Sequence, residues 1–300
     1  PELIRGMRVA RYAIGDVVRQ VDRQQFLERI QAVEACRKHL AGASADVLAR
    51  FTSDSRELSL REAYELLLPK PDGHVIWGEK SLGNVFCIRD LHEMYPEALF
   101  VHIVRDPRAA LLSYYRKRFA HSNESVPRLG ARDIRFFMSG ALQWESWVNT
   151  VREASAALGP NAILELRFED LVSRPDYHVA RICRALGVEF DEGMLDAARR
   201  QQDPVLQSKG AFGHQRLRTP IDSSRASSHT ALPAWADRLI ERFAETTMLS
   251  HGYAPHLRHV GLLERLRVTA EVRRSERSVR EKLERVIARR QGFPAGLPQS

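Results

Sequence analysis

The residues best placed to do chemistry lie in FVHIVRDPRAALLSYY, residues 100–115. An apolar run ends in Arg105, Asp106-Pro107 opens a helix, and Ser113 follows two turns in. A guanidinium presents donors that match two oxygens of a phosphate at once, and a serine hydroxyl adds another donor. Ligands of open α/β sheets bind beyond the carboxyl ends of the strands. Arg105 and Ser113 are therefore candidate anion-binding residues. The same pair also reads as a surface arginine and a mid-helix serine.

These side chains need a strand and a helix to hold them. Leu99–Val104 predicts a buried strand of a parallel sheet, with Asp106 as N-cap and Pro107 at the first position of a helix reaching about Phe119. A long helix covers about 132–158 and stops at Gly159-Pro160, and Ile163–Leu166 is a second strand. Pro175 opens a helix that ends at Gly187, a shorter one covers about 191–201, and another covers 233–249. Upstream, apolar spacing predicts a helix over 16–41 and a second from Ser59, where Ser59 and Glu62 match a capping box. Val75–Trp77 is a short strand candidate, and residues 82–95 read as helical. Residues 202–231 lack periodicity, and so long a loop inside a compact domain points to function. The alternation of strand and helix predicts an α/β chain with a parallel sheet flanked by helices.

The Arg105–Ser113 segment resembles the 3′-phosphate-binding segment of sulfotransferases that use 3′-phosphoadenosine 5′-phosphosulfate (PAPS). Two further stretches are similar to the same family in the same order. WGEKSLGN, residues 77–84, resembles its Glu-Lys-Ser/Thr motif, and ILELRFEDLVSRP, residues 163–175, resembles its strand and Tyr-Glu-Asp-Leu motif. The resemblance implies that Arg105 and Ser113 bind the 3′-phosphate and that Phe168 holds the adenine with its aromatic face. It implies that Lys80 approaches the transferring sulfonate, where negative charge develops, and that Glu79 is a possible base toward the acceptor. A Glu-Lys surface pair is the plainer reading of those two. Glu169 and Asp170 are expected to cap and orient the following turn. RTPIDSSRASSHTALPAW, residues 218–235, is similar to the stretch that closes over the nucleotide; Arg225 and Ser227 in it, and Lys209 upstream of it, are candidate phosphate contacts.

By the same resemblance the fold is a three-layer, P-loop-like α/β domain, and sulfonate passes from PAPS to a hydroxyl or amine without a metal. The acceptor is a small molecule, carbohydrate or lipid, shaped by variable loops at 43–58 and 121–132. Pro1-Glu2-Leu3 resembles the segment that follows the family's phosphosulfate loop, so that loop and the first strand are expected upstream of Pro1. The slot beside Leu99–Val104 is then expected to be empty, filled by a partner or rebuilt. The glutamate many relatives use as base has no counterpart around Arg8–Arg11, which leaves Glu79 and His121 as substitutes. A non-catalytic nucleotide-binding member of the family is the alternative. A P-loop kinase would need a Gly-Lys-Ser/Thr loop and a magnesium-binding carboxylate after a strand, and the sequence shows neither.

The formal charge of the 300 residues is +8. Residues 258–300 carry eleven basic and five acidic side chains, so most of that excess lies in the tail and the body is near neutral. This argues against nucleic acid as a partner. The chain divides into a sulfotransferase body, 1–257, and a basic tail, 258–300, with a solvated helix over 262–290. Cys36, Cys87 and Cys183 form no metal or CxxC pattern and read as buried thiols, as expected of a reducing, cytoplasmic setting in a bacterium. No apolar run reaches the roughly 18–20 residues of a membrane span.

Overall fold

The computed structural model describes residues 17–31, 45–67, 76, 78, 80, 82–119, 126–197, 199, 219–224 and 231–290. The chain forms two compact units: Pro1–Ala98 with Ala156–Leu158 and Glu281–Ser300, and Leu99–Ser155 with Gly159–Arg280.

In the first unit, β1 (Val17–Val18) precedes α1 (Arg23–Gln31), α2 (Ala45–Ser53), β2 (Leu58–Ser59), α3 (Leu60–Leu67) and α4 (Ile88–Met94). The helix expected over 16–41 therefore begins only at Arg23. Val17 and Val18 instead pair antiparallel with Ser59 and Leu58, as suits β-branched residues. The expected loop at 43–58 holds α2. The capping box forms as read: the Glu62 carboxylate accepts from Ser59 N at 2.8 Å, and Ser59 Oγ accepts from Glu62 N at 3.3 Å. Residues 82–95 split into a 3₁₀ stretch, Leu82–Cys87, and α4, with the poor α-formers Gly83 and Asn84 inside the 3₁₀ stretch. Arg23 is fully buried among Phe26, Phe51 and Leu58 and donates to the carbonyls of Phe51 and Arg56.

The second unit contains β3 (Phe100–Val104), α5 (Pro107–Arg118), α6 (Ala131–Leu158), β4 (Ile163–Arg167), α7 (Phe168–Ser173), α8 (Pro175–Leu186), α9 (Ala234–Ser250) and α10 (Leu262–Arg290, whose last residues pass into the first unit). β3 and β4 pair in parallel, Phe100 opposite Ile163 through Val104 opposite Arg167. Among the described residues this sheet has those two strands. The expectation that β3 is buried needs correction. Val104 is buried, but Val101 and Ile103, on the opposite pleat, are 38% and 47% exposed. Buried Tyr115, Phe137, Leu142, Trp235, Ile240 and Met248 from α5, α6 and α9 build the core. Gly140 lets Leu111 approach α6 so closely that a Cβ there would meet its side chain at 2.4 Å.

α8 ends as read, with Gly187 left-handed at φ 70°. Within the short helix expected over 191–201, Glu192–Leu195 is a 3₁₀ turn, and Ala197 and Arg199 beyond it are helical. α10 forms where expected, yet it is not wholly solvated: Val272 is 1% exposed, Ser275 and Glu271 are buried, and Glu271 pairs with Arg135 at 3.1 Å. Cys87 and Cys183 are buried free thiols. Among the described residues no helix is long and apolar enough to cross a membrane.

Candidate functional site

The junction from β3 to α5 is set by local chemistry. Asp106 caps α5 by accepting from Arg108 N at 2.8 Å, and Pro107 starts the helix where no amide donor is needed. Arg105 is thereby left at the carboxyl end of β3, half-buried. Its guanidinium carbon lies 4.3 Å from the centre of the Phe168 ring, at the start of α7. The ring follows β4, so the parallel pairing of the two strands brings arginine and aromatic together. Trp144 of α6 donates its indole N–H to the Arg105 carbonyl at 3.0 Å.

Glu169 ties the two strand ends. Its Oε1 accepts from Asp106 N at 3.0 Å, and its Oε2 accepts from the Tyr253 hydroxyl at 2.8 Å. The same hydroxyl lies 3.3 Å from the Val104 carbonyl. Gly252, at φ 74°, makes the turn after α9 that returns Tyr253 to the strand ends, and Arg167 stacks on its ring at 4.6 Å. Burial and the Glu169 carboxylate push the Tyr253 phenol well above its ordinary range, so it stays a neutral donor. The orienting role expected for Glu169 is thus wider than its own turn.

Arg108, one helical turn beyond Arg105, has a different setting. It is 2% exposed and meets Asp106 at 2.7 Å, Glu241 at 3.1 Å, Asp237 at 3.9 Å and the Ala254 carbonyl at 3.0 Å. Burial works against its charge, but the bond to Asp106 and the fields of Asp106, Asp237 and Glu241 more than offset it and raise its pKa. Asp237 also meets His256 at 2.9 Å and Arg258 at 3.6 Å. Asp237, Glu241 and His256 place ligand-type atoms within 4.8 Å of one another, a grouping invisible in the sequence. Arg108 and Arg258 already balance the two carboxylates.

On the sheet, His102 and Glu165 are register partners. The Glu165 carboxylate meets His102 Nδ1 at 3.0 Å and His251 Nε2 at 3.2 Å. The contact with His102 holds the carboxyl below its ordinary range, against some burial.

Ser113 is half-buried two turns into α5, on one face with Ala110 and Lys117. Lys80 is exposed, in the first unit. Glu79, His121, Lys209, Arg225 and Ser227 lie outside the described residues. The structure thus brings Arg105 and Phe168 together. Sequence reasoning missed Trp144, Tyr253 and Arg108. Only Arg108 left a local trace, as the second residue after an aspartate N-cap.

A family model described as "Sulfotransferase family" matches residues 8–192. Rabbit (Oryctolagus cuniculus) sulfotransferase 1C2 is 28% identical over 99 residues, 32% of this chain and 33% of that protein. The omega-hydroxy-beta-dihydromenaquinone-9 sulfotransferase Stf3 of Mycobacterium bovis is 29% identical over 113 residues, 36% of this chain and 28% of that protein. The match therefore spans about a third of each curated relative's length. The solved sulfotransferase domain of the Synechococcus PCC 7002 olefin synthase aligns with 82% of this chain and 89% of its own, at 19% identity and a TM-score of 0.46. With the family model covering well over half its length, this chain belongs to the sulfotransferase family.

Proposed function

We propose that the protein transfers a sulfonate group from PAPS to a hydroxyl or amine of a small-molecule, carbohydrate or lipid acceptor. One observation carries the donor half of this reading: Arg105 stands at the carboxyl end of a parallel strand, its guanidinium stacked on Phe168. A guanidinium presents donors that match two oxygens of a phosphate at once. The 3′-phosphate of the nucleotide fits those donors, with Ser113 as a further donor and the Phe168 ring as a surface for the adenine. Lys209, Arg225 and Ser227 are assigned to the remaining phosphate contacts. Lys80 is assigned to the charge that appears on the bridging oxygen as the sulfonate leaves, and Glu79 to the acceptor proton. The lipid arm of the acceptor class draws on the relative named for a menaquinone derivative. This work falls to the body, 1–257, in a three-layer fold. The buried free thiols of Cys87 and Cys183 fit a cytoplasmic setting.

Calorimetry with 3′,5′-adenosine bisphosphate tests the donor site. Arg105→Ala weakens binding by about 2–3 kcal/mol, because a phosphate loses a charged, two-point partner, and Arg105→Lys restores part of it. Unchanged affinity in Arg105→Ala removes the assignment. Lys80→Ala lowers kcat more than nucleotide affinity if its partner exists mainly in the transition state. Equal losses would make Lys80 a ground-state ligand instead.

A further inference from the structure

The first two turns of α10 present leucines to solvent. Leu262, Leu263 and Leu266 are 69%, 74% and 57% exposed. At 100° per residue they occupy the face opposite buried Glu271, Val272 and Ser275. The helix is therefore anchored by the side that carries Glu271, Val272 and Ser275, and its opposite side is apolar over the first two turns. Just upstream, Leu257 is 78% exposed and has φ 51°, a backbone setting uncommon for a leucine. A single exposed leucine is ordinary, but four within ten residues form a patch of the kind that marks an interaction surface.

The charge around this patch is of one dominant sign. Arg258, Arg265 and Arg267 interleave with the leucines, and Arg273 continues the outward face one to two turns later. Arg258 and Arg265, with Arg238 and Arg242 of α9, line a groove of about 750 Å³ that Leu257 borders. Glu241 and Glu245 also face that groove, and Arg238 and Arg258 are partly engaged by Glu241 and Asp237. Arg265 and Arg267 are exposed beside the leucines. Apolar side chains flanked by cations are the pairing an anionic bilayer surface recognises, leucines in the acyl boundary and arginines at the headgroups. Nucleic acid would be met by cations without a leucine cluster.

We infer that the segment from Leu257 through the first turns of α10 docks the protein peripherally on an anionic lipid surface. This does not depend on the nucleotide site. Co-sedimentation of the full chain with vesicles tests it. The protein pellets with phosphatidylglycerol-containing vesicles and not with phosphatidylcholine alone, and added salt weakens the binding. The L262S/L263S/L266S variant binds about tenfold more weakly or worse, with circular dichroism and thermal midpoint little changed because these side chains are mostly exposed. The R265Q/R267Q/R273Q variant loses binding to a similar degree. Failure of the wild type to pellet with phosphatidylglycerol vesicles overturns the inference. So does wild-type binding by the leucine variant, or a lipid-free dimer in sedimentation velocity that the leucine replacements abolish, since the occupant would then be a second copy.

Discussion

Arg105 and Arg108 stand on the two sides of one strand–helix junction, and they differ in everything but residue type. On the helix side, Arg108 is buried and surrounded by three carboxylates and a carbonyl. On the sheet side, Arg105 is half-buried and rests on an aromatic face. A buried arginine with its charge matched on several sides holds structure, because removing it strands the matching charges. Arg105, half-buried over an aromatic ring, is the one proposed to meet the nucleotide. The lesson is that the same side chain, one turn apart, is assigned to stability or to binding by what shares its surroundings.

The largest expected effect breaks the helix side. Arg108→Met leaves Asp106, Asp237 and Glu241 clustered without their shared cation, at a cost of about 3–5 kcal/mol. For a chain of this size each kcal/mol moves the thermal midpoint by about 2–4 °C, so the drop is at least about 6 °C by calorimetric scan. A midpoint within about 2 °C of wild type would show that the cluster rearranges freely and would erase the contrast with Arg105.

The next effect tests how the two sides are joined. Tyr253→Phe keeps the ring under Arg167 but deletes the hydroxyl that meets Glu169 and Val104. Glu169, which accepts from the Asp106 amide, then loses the donor on its other oxygen. A loss of about 1–2 kcal/mol is expected in denaturant unfolding, together with weaker bisphosphate binding, since Arg105 adjoins the loosened turn. A loss of stability with bisphosphate affinity unchanged would separate the Glu169 tie from the binding side.

Smaller still is the stability cost of Arg105→Ala. It removes one partly exposed arginine–aromatic contact, about 0.5–1 kcal/mol, which shifts the midpoint by only a few degrees. The comparison with Arg108 is sharpened if Arg105→Ala loses affinity and keeps its fold.

The junction was legible in the sequence because its determinants are neighbours in the chain: an apolar run, an aspartate cap, a proline at the first helical position. The Ser59–Glu62 box was legible for the same reason. The features that were not legible depend on distant partners. Nothing near Tyr253 announces that Gly252 returns it to the ends of β3 and β4, and nothing near Trp144 points to the Arg105 carbonyl. Val17-Val18 was drawn into a helix because apolar spacing alone does not report a strand partner some forty residues on. The run Leu99–Val104 was read as buried on both faces, yet Val101 and Ile103 are exposed. A short, mostly apolar run bounded by turn residues is consistent with a strand but does not say what covers each pleat. Of the candidate site, the pairing of Arg105 with Phe168 required only that two strands with similar endings lie side by side.

The smallest expected effect concerns a charged group that is neither buried like Arg108 nor stacked like Arg105. Glu165 lies on the sheet between His102 and His251, its side chain 43% exposed. Its carboxyl is held below the ordinary value of 4.5, chiefly by the bond from His102. A carboxyl whose pKa is lowered by folding contributes stability above its unfolded pKa and loses that contribution as pH falls through the folded value. Glu165→Gln should therefore be less stable than wild type at pH well above 4.5, by a few tenths of a kcal/mol because solvent screens so open a site. The two proteins should converge as acid protonates the carboxyl. Denaturant midpoints across that pH range give the measurement. A difference that persists undiminished in acid would mean that the glutamine disturbs packing between β3 and β4, and that Glu165 belongs with the structural charges around Arg108.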